Sequence, residues 1–263
     1  MAKMNYNGKT MLITGGASGM GQLYSERLAK AGARVATIDV NETGLKETAS
    51  RHENISTYVC DVRDFDAVKK VVAKVEKELG PIDRVVSAAA IMPSSLLTEE
   101  PVDEIHRVMD INYKGVVNTV HATLPQMLER RSGQQVIFAS LVGWMPVMHF
   151  GAYCASKFAV RSYADILYHE NRHSGVQFAC VCPPMVKTPL LNQVRSNPAV
   201  MEGDSSLMTP DKVLDAVEKG LRKKDFWIFP GQARYIAAFA RMMPDVLWRN
   251  MHKIEGKKDP RLA

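Results

Sequence analysis

The sequence predicts a single α/β domain, in which a doubly wound parallel sheet of seven strands is covered by helices on both faces. Short, mostly apolar and β-branched segments alternate with helical segments along the 263-residue chain, a pattern typical of parallel strands that are buried on both sides. The chain contains no internal repeat, low-complexity stretch or Gly/Ser linker. We therefore expect one domain over residues 1–263, in which residues from about 190 to 254 form a substrate loop and a helical, basic C-terminal extension.

Seven short apolar segments are predicted to be strands, and longer segments between them are predicted to be helices. The strands are Met11–Thr14, Arg34–Ile38, Ser56–Cys60, Arg84–Ser87, Gln135–Ser140, Gln177–Cys182 and Phe226–Phe229. The helices are Gln22–Lys30, Ala67–Leu79, Val102–Leu128 and Tyr153–Arg172, and valines at positions 68, 71, 72 and 75 give the second helix a 3.6-residue period. Because strands and helices alternate, neighbouring strands are expected to be parallel.

The composition excludes several classes of protein. Hydrophobic residues make up 46% and charged residues 24% of the chain, which are globular proportions and unlike those of disordered or fibrous chains. The cysteines are too few and too scattered for a disulfide framework, and none forms the C-x-x-C pair of a zinc ribbon or a thioredoxin-type site; they are Cys60, Cys154, Cys180 and Cys182. The first ten residues lack the apolar core of a signal peptide. We expect a soluble cytoplasmic protein without a metal site.

An uncharged segment of the chain, Ser132–Ser156, is long enough to span a bilayer. It contains three glycines, a proline, two glutamines and a histidine, and these residues would be costly in hydrocarbon. The sequence therefore predicts a buried strand, a loop and the start of a helix here, and not a transmembrane helix.

The net charge of +6 lies entirely in the C-terminal part of the chain. From Gly220 onwards there are ten Lys or Arg and four Asp or Glu, whereas the first 219 residues contain 24 of each sign. A nucleic-acid-binding domain would carry its basic surface across the whole domain, so this distribution argues against one.

The C-terminal segment from Gln232 to Ile254 mixes large apolar residues with arginines and a lysine, and Pro244 is expected to lie near the start of the second of two helices there. The segment has two interpretations. It packs over the substrate loop or against a second subunit, or it forms a basic amphipathic element that contacts an anionic membrane surface or an acyl carrier. We expect a homodimer or a homotetramer.

A glycine-rich turn, Thr14–Gly21, follows the first predicted strand and precedes a helix. Glycines let the backbone approach a pyrophosphate closely, and the N-terminus of the helix supplies oriented N–H donors and partial positive charge. A tight turn needs glycine in any case, so the turn alone is weak evidence for a nucleotide. Its place between a strand and a helix favours a dinucleotide site.

Two acidic residues end the next two predicted strands. Asp39 lies eighteen residues after Gly21, where a carboxylate would bind the adenosine ribose hydroxyls and repel the 2′-phosphate of NADP. Neither Ser18 nor Val40 supplies a cation to offset this repulsion, so NAD is predicted as the cofactor. Asp61 would contact the adenine amino group, or it would cap the helix that follows.

A tyrosine and a lysine, Tyr153 and Lys157, are spaced to lie on one face of a helix. A tyrosine of ordinary pKa is a poor base at neutral pH, and a nearby cation lowers that pKa by stabilising the phenolate. Oxidised nicotinamide would add to this effect. Ser140, at the end of a predicted strand, could hold a substrate oxygen beside the phenol.

Taken together, these residues resemble the short-chain dehydrogenase/reductase family over roughly Lys9–Pro189. The family's T-G-x-x-x-G-x-G turn is Thr14–Gly21, and its Asp-Val pair after strand three is Asp61-Val62. The resemblance implies a Rossmann-type sheet of strand order 3-2-1-4-5-6-7, and hydride transfer between a nicotinamide and an alcohol or carbonyl. It assigns the catalytic tetrad to Asn112, Ser140, Tyr153 and Lys157.

The resemblance also implies roles for individual residues. In the oxidative direction Tyr153 takes the alcohol proton, Ser140 orients the oxygen, Lys157 lowers the pKa of the tyrosine and bonds the ribose, and Asn112 holds a water that relays the proton. Asn112 is also expected to bond the backbone at a helix irregularity. The residues expected to bind the cofactor are Gly15, Ser18, Gly19, Met20, Gly21, Asp39, Asp61, Val62, Ala88, Ala89, Tyr153, Lys157, Pro183, Val186 and Thr188.

The chain departs from the family pattern at three places. The Asn-Asn-Ala-Gly segment after strand four is Ser87-Ala88-Ala89-Ala90, so only backbone atoms can make its contacts. The Pro-Gly pair after strand six is Pro183-Pro184, although Val186 and Thr188 match the family's carboxamide contacts. The Val-Asp-Gly-Gly run that many members place at a tetramer interface is replaced by Phe226–Gly231.

Two segments are expected to line the substrate cleft, and both are apolar. The segment between Ser140 and Tyr153 contains Leu141, Val142, Trp144, Met145, Val147, Met148 and Phe150. The segment after Thr188 contains Leu190, Leu191, Val194, Val200 and Met201. About half of such residues would be plain core. The remainder suits a lipophilic secondary alcohol or ketone better than a sugar or a hydroxy acid. The alternatives are an NAD(H)-binding redox regulator without turnover and an NADPH-dependent ketoacyl-type reductase, against which Asp39 argues.

Overall fold

The computed structural model describes residues 5–196, 198 and 207–262, and it contains one parallel sheet of seven strands in the order β3-β2-β1-β4-β5-β6-β7. This confirms the predicted fold class and strand order. The strands are β1 (Thr10–Thr14), β2 (Arg34–Asp39), β3 (Ile55–Val59), β4 (Ile82–Ser87), β5 (Gly133–Phe138), β6 (Val176–Val181) and β7 (Trp227–Ile228).

Most of the helices lie between strands, as predicted, and the last two follow β7. The structure adds a helix between β2 and β3 and one between β6 and β7, neither of which the sequence analysis delimited. The helices are α1 (Gly19–Lys30), α2 (Glu42–Ala49), α3 (Phe65–Leu79), α4 (Val102–Met109), α5 (Gly115–Glu129), α6 (Gly151–Asn171), α7 (Pro210–Lys223), α8 (Ala233–Met242) and α9 (Pro244–Glu255). The predicted helix Val102–Leu128 is interrupted by a five-residue π-helical turn, Asp110–Lys114, which joins α4 to α5. Pro244 begins α9, as expected.

The core forms two layers, one on each face of the sheet. Successive strand residues point to opposite faces, so Leu12 joins one hydrophobic cluster and Ile13 joins the other, and both are fully buried. Helices α3, α5 and α6 cover the first face through Val68, Val120 and Val160. Helices α1 and α7 cover the second. Both faces of the sheet are therefore buried, which explains why the strands are apolar throughout.

Among the described residues, no helix is long and apolar enough to cross a membrane. The uncharged segment Ser132–Ser156 contains β5, a short 3₁₀ turn at Leu141–Gly143 and the start of α6, as the sequence predicted.

Because all seven strands are parallel, their carboxyl ends meet at one edge of the sheet. The chain segments that follow β1, β2, β4, β5 and β6 therefore converge there, and they carry the residues that the sequence singled out. Ligands of open α/β sheets bind at such an edge.

Candidate active site

The glycine-rich turn between β1 and α1 packs directly on the loop that follows β4. Gly15 has a φ of +74°, and a Cβ atom there would lie 2.7 Å from the backbone of Ala89. A Cβ on Gly21 would lie 2.2 Å from the carbonyl oxygen of Gly15. The hydroxyl of Thr14 accepts hydrogen bonds from the backbone N–H groups of Ala88 and Ala89 at 3.2 and 3.3 Å. The turn needs glycine for space, and the Thr14 side chain holds the alanine loop in place through its backbone N–H groups.

The N-terminus of α1 points into the same crevice and is free to receive an anion. Ser18 precedes the helix but makes no capping hydrogen bond through its side chain, and the first turn of the helix contains no acidic residue. The first N–H groups of the helix therefore keep their donor capacity and their partial positive charge. This arrangement fits the pyrophosphate of a dinucleotide.

A cavity of about 380 Å³ lies along this edge of the sheet and contains most of the predicted cofactor residues. The predicted residues that line it are Gly15, Ser18, Gly19, Met20, Gly21, Asp39, Asp61, Val62, Ala88, Ala89 and Thr188. Four predicted cofactor residues do not line it: Tyr153, Lys157, Pro183 and Val186. The carbonyl of Pro183 accepts a hydrogen bond from Leu141 N at 2.8 Å, and Val186 is buried in a bridge to Met208. Their assignment to the cofactor stays a prediction.

Asp39 occupies the end of β2, where its carboxylate faces the cavity. One oxygen accepts a hydrogen bond from Ala17 N at 3.1 Å, and the other accepts one from Asn41 N at 3.0 Å. These bonds fix the carboxylate without neutralising its charge, since neither donor is a cation. The cavity therefore carries a fixed negative charge where a ribose is expected.

Asp61 is not the helix cap that the sequence analysis allowed as one of its two roles. Asp64 caps α3, because its side chain accepts a hydrogen bond from Ala67 N at 3.0 Å. Asp61 lines the cavity and binds the guanidinium of Arg63 with both oxygens, at 2.6 to 3.0 Å. Hydrogen bonding to Arg63 lowers the pKa of Asp61, so this carboxylate stays charged.

The sequence analysis missed two cations that line the cavity. Arg63 is paired with Asp61, and Arg107 is paired with Glu104 at 2.7 and 2.8 Å. Each guanidinium is therefore already matched by a carboxylate, which reduces its attraction for a further anion. Arg63 follows Asp61 closely in the sequence, and this i, i+2 pair is the signal that could have found it. Arg107 reaches the cavity only because the folded chain brings α4 beside it, so no local sequence pattern indicates this residue.

Tyr153 and Lys157 lie one turn apart near the start of α6, and both are buried. The Ser140 hydroxyl, just after β5, lies near the Tyr153 phenol and favours a lower pKa of that phenol. The Lys157 ammonium lies 5.7 Å from the centre of the Tyr153 ring and donates a hydrogen bond of 2.9 Å to the carbonyl of Phe138. The structure thus brings three residues of the predicted tetrad together at the carboxyl end of β5.

Burial dominates the ionisation of this tyrosine and lysine. It raises the pKa of Tyr153 and outweighs the opposing effect of the Ser140 hydroxyl. It also lowers the pKa of Lys157 to about 8. Both shifts disfavour the charged forms, as expected in a low-dielectric interior. The Tyr–Lys spacing predicts a lowered Tyr153 pKa, but in the structure the pKa is raised. Lowering it would require additional positive charge beside the phenol.

Asn112 lies fully buried in the π-helical turn and joins three separate segments of the chain. Its side-chain oxygen accepts a hydrogen bond from Ile91 N at 2.9 Å, and its nitrogen donates to the Ile91 carbonyl and to the Ser156 hydroxyl, each at 3.0 Å. The expected backbone contact at a helix irregularity is therefore present. Both amide hydrogens are used, so a water on this side chain would have to bond the remaining lone pair of the oxygen.

The predicted substrate residues do not all lie in one place in the structure. One group forms a hydrophobic cluster with Tyr153, and its predicted members are Val142, Met145, Val147, Phe150, Leu190, Leu191 and Val194. Leu141 and Trp144 pack instead against Ala233 and Ala237 of α8 and are core residues. Met148 lines a different, apolar cavity on the surface, while Val200 and Met201 lie outside the described residues.

The segment after β6 is tied across the cleft by polar contacts that the sequence did not indicate. The Gln193 side chain accepts a hydrogen bond from Met92 N at 2.8 Å. The Ser94 hydroxyl accepts hydrogen bonds from Arg195 N and Ser196 N at 2.9 and 3.1 Å. These contacts join residues about a hundred positions apart, and no local sequence pattern marks them.

Within the described part of the chain, no group of three or more His, Cys, Asp or Glu side chains could hold a metal ion. All four cysteines are free thiols and buried. The chemistry of the site therefore depends on the tyrosine, the lysine, the serine and the groups that line the cavity.

A family model described as short chain dehydrogenase matches residues 9–199 of the chain. Among curated proteins, estradiol 17-beta-dehydrogenase 11 of Pongo abelii is 28% identical over 253 residues, which cover 92% of this chain and 82% of that protein. The matched region includes the glycine-rich turn, the tetrad and the segment after β6.

Solved structures of short-chain dehydrogenases share the fold. One from Burkholderia phymatum, in complex with NAD, has a TM-score of 0.83 and 22% identity, and the match covers 94% of this chain and 96% of that one. Another from Sphingobium yanoikuyae, in complex with NADPH, has a TM-score of 0.78 and 21% identity, with 90% and 94% covered. These likenesses concern the fold alone. Since the family model spans most of the chain, and since the turn and the tetrad lie at one edge of the sheet, the chain belongs to the short chain dehydrogenase family.

Proposed function

We propose that this protein is an NAD-dependent oxidoreductase that transfers hydride between the nicotinamide and a lipophilic secondary alcohol or ketone. The observation that carries the proposal is the buried Tyr153 phenol, which lies near the Ser140 hydroxyl and one helical turn from Lys157. This group lies at the same sheet edge as the glycine-rich turn. This arrangement supports proton transfer beside a bound nucleotide.

The chain's own residues would handle the proton while the bound nicotinamide supplies or accepts hydride at the substrate carbon. In the oxidative direction, the Tyr153 phenolate takes the hydroxyl proton of the alcohol, and the Ser140 hydroxyl orients the same oxygen. Lys157 would place positive charge near the phenolate, since its ammonium lies 5.7 Å from the centre of the Tyr153 ring. In the reductive direction, the Tyr153 phenol donates its proton to the developing alkoxide. The glycine-rich turn and the N-terminus of α1 would hold the pyrophosphate.

Asp39 supports NAD over NADP as the cofactor. Its carboxylate is fixed by two backbone N–H groups at the end of β2, and a 2′-phosphate would bring a second negative charge beside it. Arg63 and Arg107, which could otherwise attract a phosphate, are each paired with an acidic residue.

Removing this carboxylate and adding a cation should reverse the cofactor preference. The wild-type enzyme is expected to have the higher kcat/KM with NAD⁺, and the double variant Asp39→Ser/Val40→Arg should shift the NADP⁺/NAD⁺ ratio of kcat/KM about 100-fold towards NADP⁺. The control is Asp64→Ser, which removes a nearby carboxylate outside the cavity while keeping a capping hydroxyl. A wild-type preference for NADPH would overturn this part of the proposal.

The cleft beside Tyr153 supports a lipophilic substrate. The tyrosine belongs to a cluster of apolar side chains from the loop before α6 and from the segment after β6, and no Lys or Arg lies between Ser140 and Tyr153 to bind a carboxylate. Such a surface gains affinity through buried apolar area. One relative is named for the lipophilic substrate estradiol.

The substrate class is tested by NAD⁺ reduction with secondary alcohols of increasing chain length. Each added methylene that reaches the cleft contributes about 0.8 kcal/mol, so kcat/KM should rise about fourfold per methylene until the cleft is filled. Efficient turnover of small polyols, with no gain from chain length, would contradict the proposed substrate class.

A second candidate function is an NAD(H)-binding redox regulator that does not turn over. It is favoured by the raised pKa of Tyr153 and by the alanines at positions 88–90, which carry no polar side chain. Tight NADH binding without turnover of any alcohol or ketone in the series would select this function.

A further inference from the structure

Helix α8 turns its small residues inward and its large apolar residues outward. Ala233, Ala237 and Ala240 are buried. The residues on the outer face are apolar and exposed, with Tyr235 75% and Met242 80% exposed. A surface helix of a globular domain normally has the opposite arrangement, with its large apolar residues in the core and polar residues in solvent.

The exposed residues form one continuous stripe. Tyr235, Ile236, Phe239, Met242 and Met243 follow one another at spacings of one, three, three and one, which places them on one side of the helix. We call these five residues the α8 outer face. Ala233 and Ala237 pack in one cluster with Leu141, Trp144 and Phe229. The helix is thus docked on the domain, and the α8 outer face is left open to solvent among the described residues.

Positive charge borders the α8 outer face. Arg234 and Arg241 lie on α8, and Arg249 and Lys253 lie on α9, which contacts α8. All four are exposed, and in the described part of the chain none of them lies in an ion pair. The whole net charge of +6 comes from this end of the sequence. An apolar stripe beside unpaired arginines is complementary to a surface whose outer layer is anionic and whose interior is apolar.

We propose that the α8 outer face docks peripherally on an anionic phospholipid membrane. The apolar side chains would enter the boundary between headgroups and acyl chains, and the arginines would contact lipid phosphates. A second copy of the chain fits less well, because a symmetric contact through α8 would bring two basic segments together.

Docking through α8 would also orient the catalytic edge. The alanines of α8 contact the Leu141–Gly143 turn, which directly follows Ser140. The substrate cleft would therefore lie close to the membrane surface, where a lipophilic alcohol or ketone is concentrated. The docking itself does not depend on turnover, so binding and activity are measured separately.

Vesicle flotation of the full chain tests the proposal. Vesicles of phosphatidylcholine mixed with phosphatidylglycerol should carry the protein at low salt, and vesicles of phosphatidylcholine alone should carry much less. Binding should weaken as salt rises, because screening shortens the reach of the arginines to about 10 Å at 0.1 M. Failure of the wild-type protein to float with the anionic vesicles at low salt would overturn the proposal.

Two variants of α8 and two matched controls locate the surface. The fraction of protein bound to vesicles should fall at least tenfold in each of two variants, Phe239→Glu/Met242→Glu and Arg241→Glu. The controls are Val102→Glu and Lys77→Glu, which change an exposed valine and an exposed lysine on other helices. Both controls should bind as the wild type does. Thermal unfolding and NADH binding check that each variant is folded. Unchanged vesicle binding by the double variant would overturn the proposal. The proposal would also be overturned if the wild-type protein bound no vesicles but formed a dimer that the double substitution dissociates.

Discussion

Replacing Tyr153 with phenylalanine is expected to lower kcat for alcohol oxidation about 10²- to 10⁴-fold, the usual contribution of a positioned acid–base group. The ring would remain in its apolar cluster, so the free energy of unfolding should change little. NADH affinity should also be nearly unchanged, because the phenol acts on the substrate proton. Steady-state rates, with NADH titration by fluorescence, measure both effects. A variant that keeps more than half of the wild-type rate would remove Tyr153 from the mechanism.

Tyr163 provides a matched control on the same helix. Its hydroxyl is buried and has no hydrogen-bond partner among the described residues, and its ring makes an edge contact with Tyr113. Tyr163→Phe removes the same atom from α6 without affecting any hydrogen bond, so activity should stay near that of the wild type. An equal loss in both variants would indicate damage to the helix and not the loss of a proton donor.

Replacing Glu218 with glutamine is expected to destabilise the fold by about 3–5 kcal/mol, because it leaves a buried guanidinium charge without its counter-ion. Arg84, on β4, is 2% exposed and contacts the Glu218 carboxylate, on α7, at 2.7 Å and the Tyr24 hydroxyl at 2.8 Å. Tyr6 and Tyr24 both donate to the same carboxylate. This network lies at the opposite edge of the sheet from the active site. Urea denaturation at neutral pH measures the loss.

The control for this variant is Asp215→Asn, which also removes an acidic residue of α7 and breaks its ion pair with Arg27 of α1. Asp215 binds Arg27 near the surface, with its side chain 36% exposed, and such pairs contribute about 0–1 kcal/mol. If the Glu218→Gln variant had the same free energy of unfolding as the Asp215→Asn variant, the buried network would not contribute the stability expected of it. No sequence pattern indicates this network, since its four members (Tyr6, Tyr24, Arg84 and Glu218) lie far apart in the chain.

The fold was predictable because burial on both faces marks each strand strongly. Val85 and Val86 are adjacent in β4 and both are fully buried, and only a sheet covered on both sides accommodates such a pair. The break between α4 and α5 was not predictable. A π-helical turn adds one residue without glycine or proline, and the sequence of Asp110–Lys114 is compatible with a continuous helix.

The candidate site was predictable where the chemistry is local. The spacing of Tyr153 and Lys157 predicts a shared helix face, and the structure shows it. The direction of the Tyr153 pKa shift was not predictable from spacing, because desolvation depends on what the rest of the chain packs around the ring. Gln193 was missed for a related reason, since its contact with Met92 N spans a hundred residues.

The extra backbone residue of the Asp110–Lys114 turn restricts how this chain can vary in length. Deleting one residue there would restore a regular α-helix with its two flanks nearly in phase, because a π-helical turn absorbs its extra residue within the one wide turn. Asn112 would then swing away from Ile91 and Ser156, and the three segments would lose their common anchor while each kept its own secondary structure. Surface loops in general tolerate insertions and deletions, whereas a change of length in this turn would separate Asn112 from Ile91, after β4, and from Ser156, on α6.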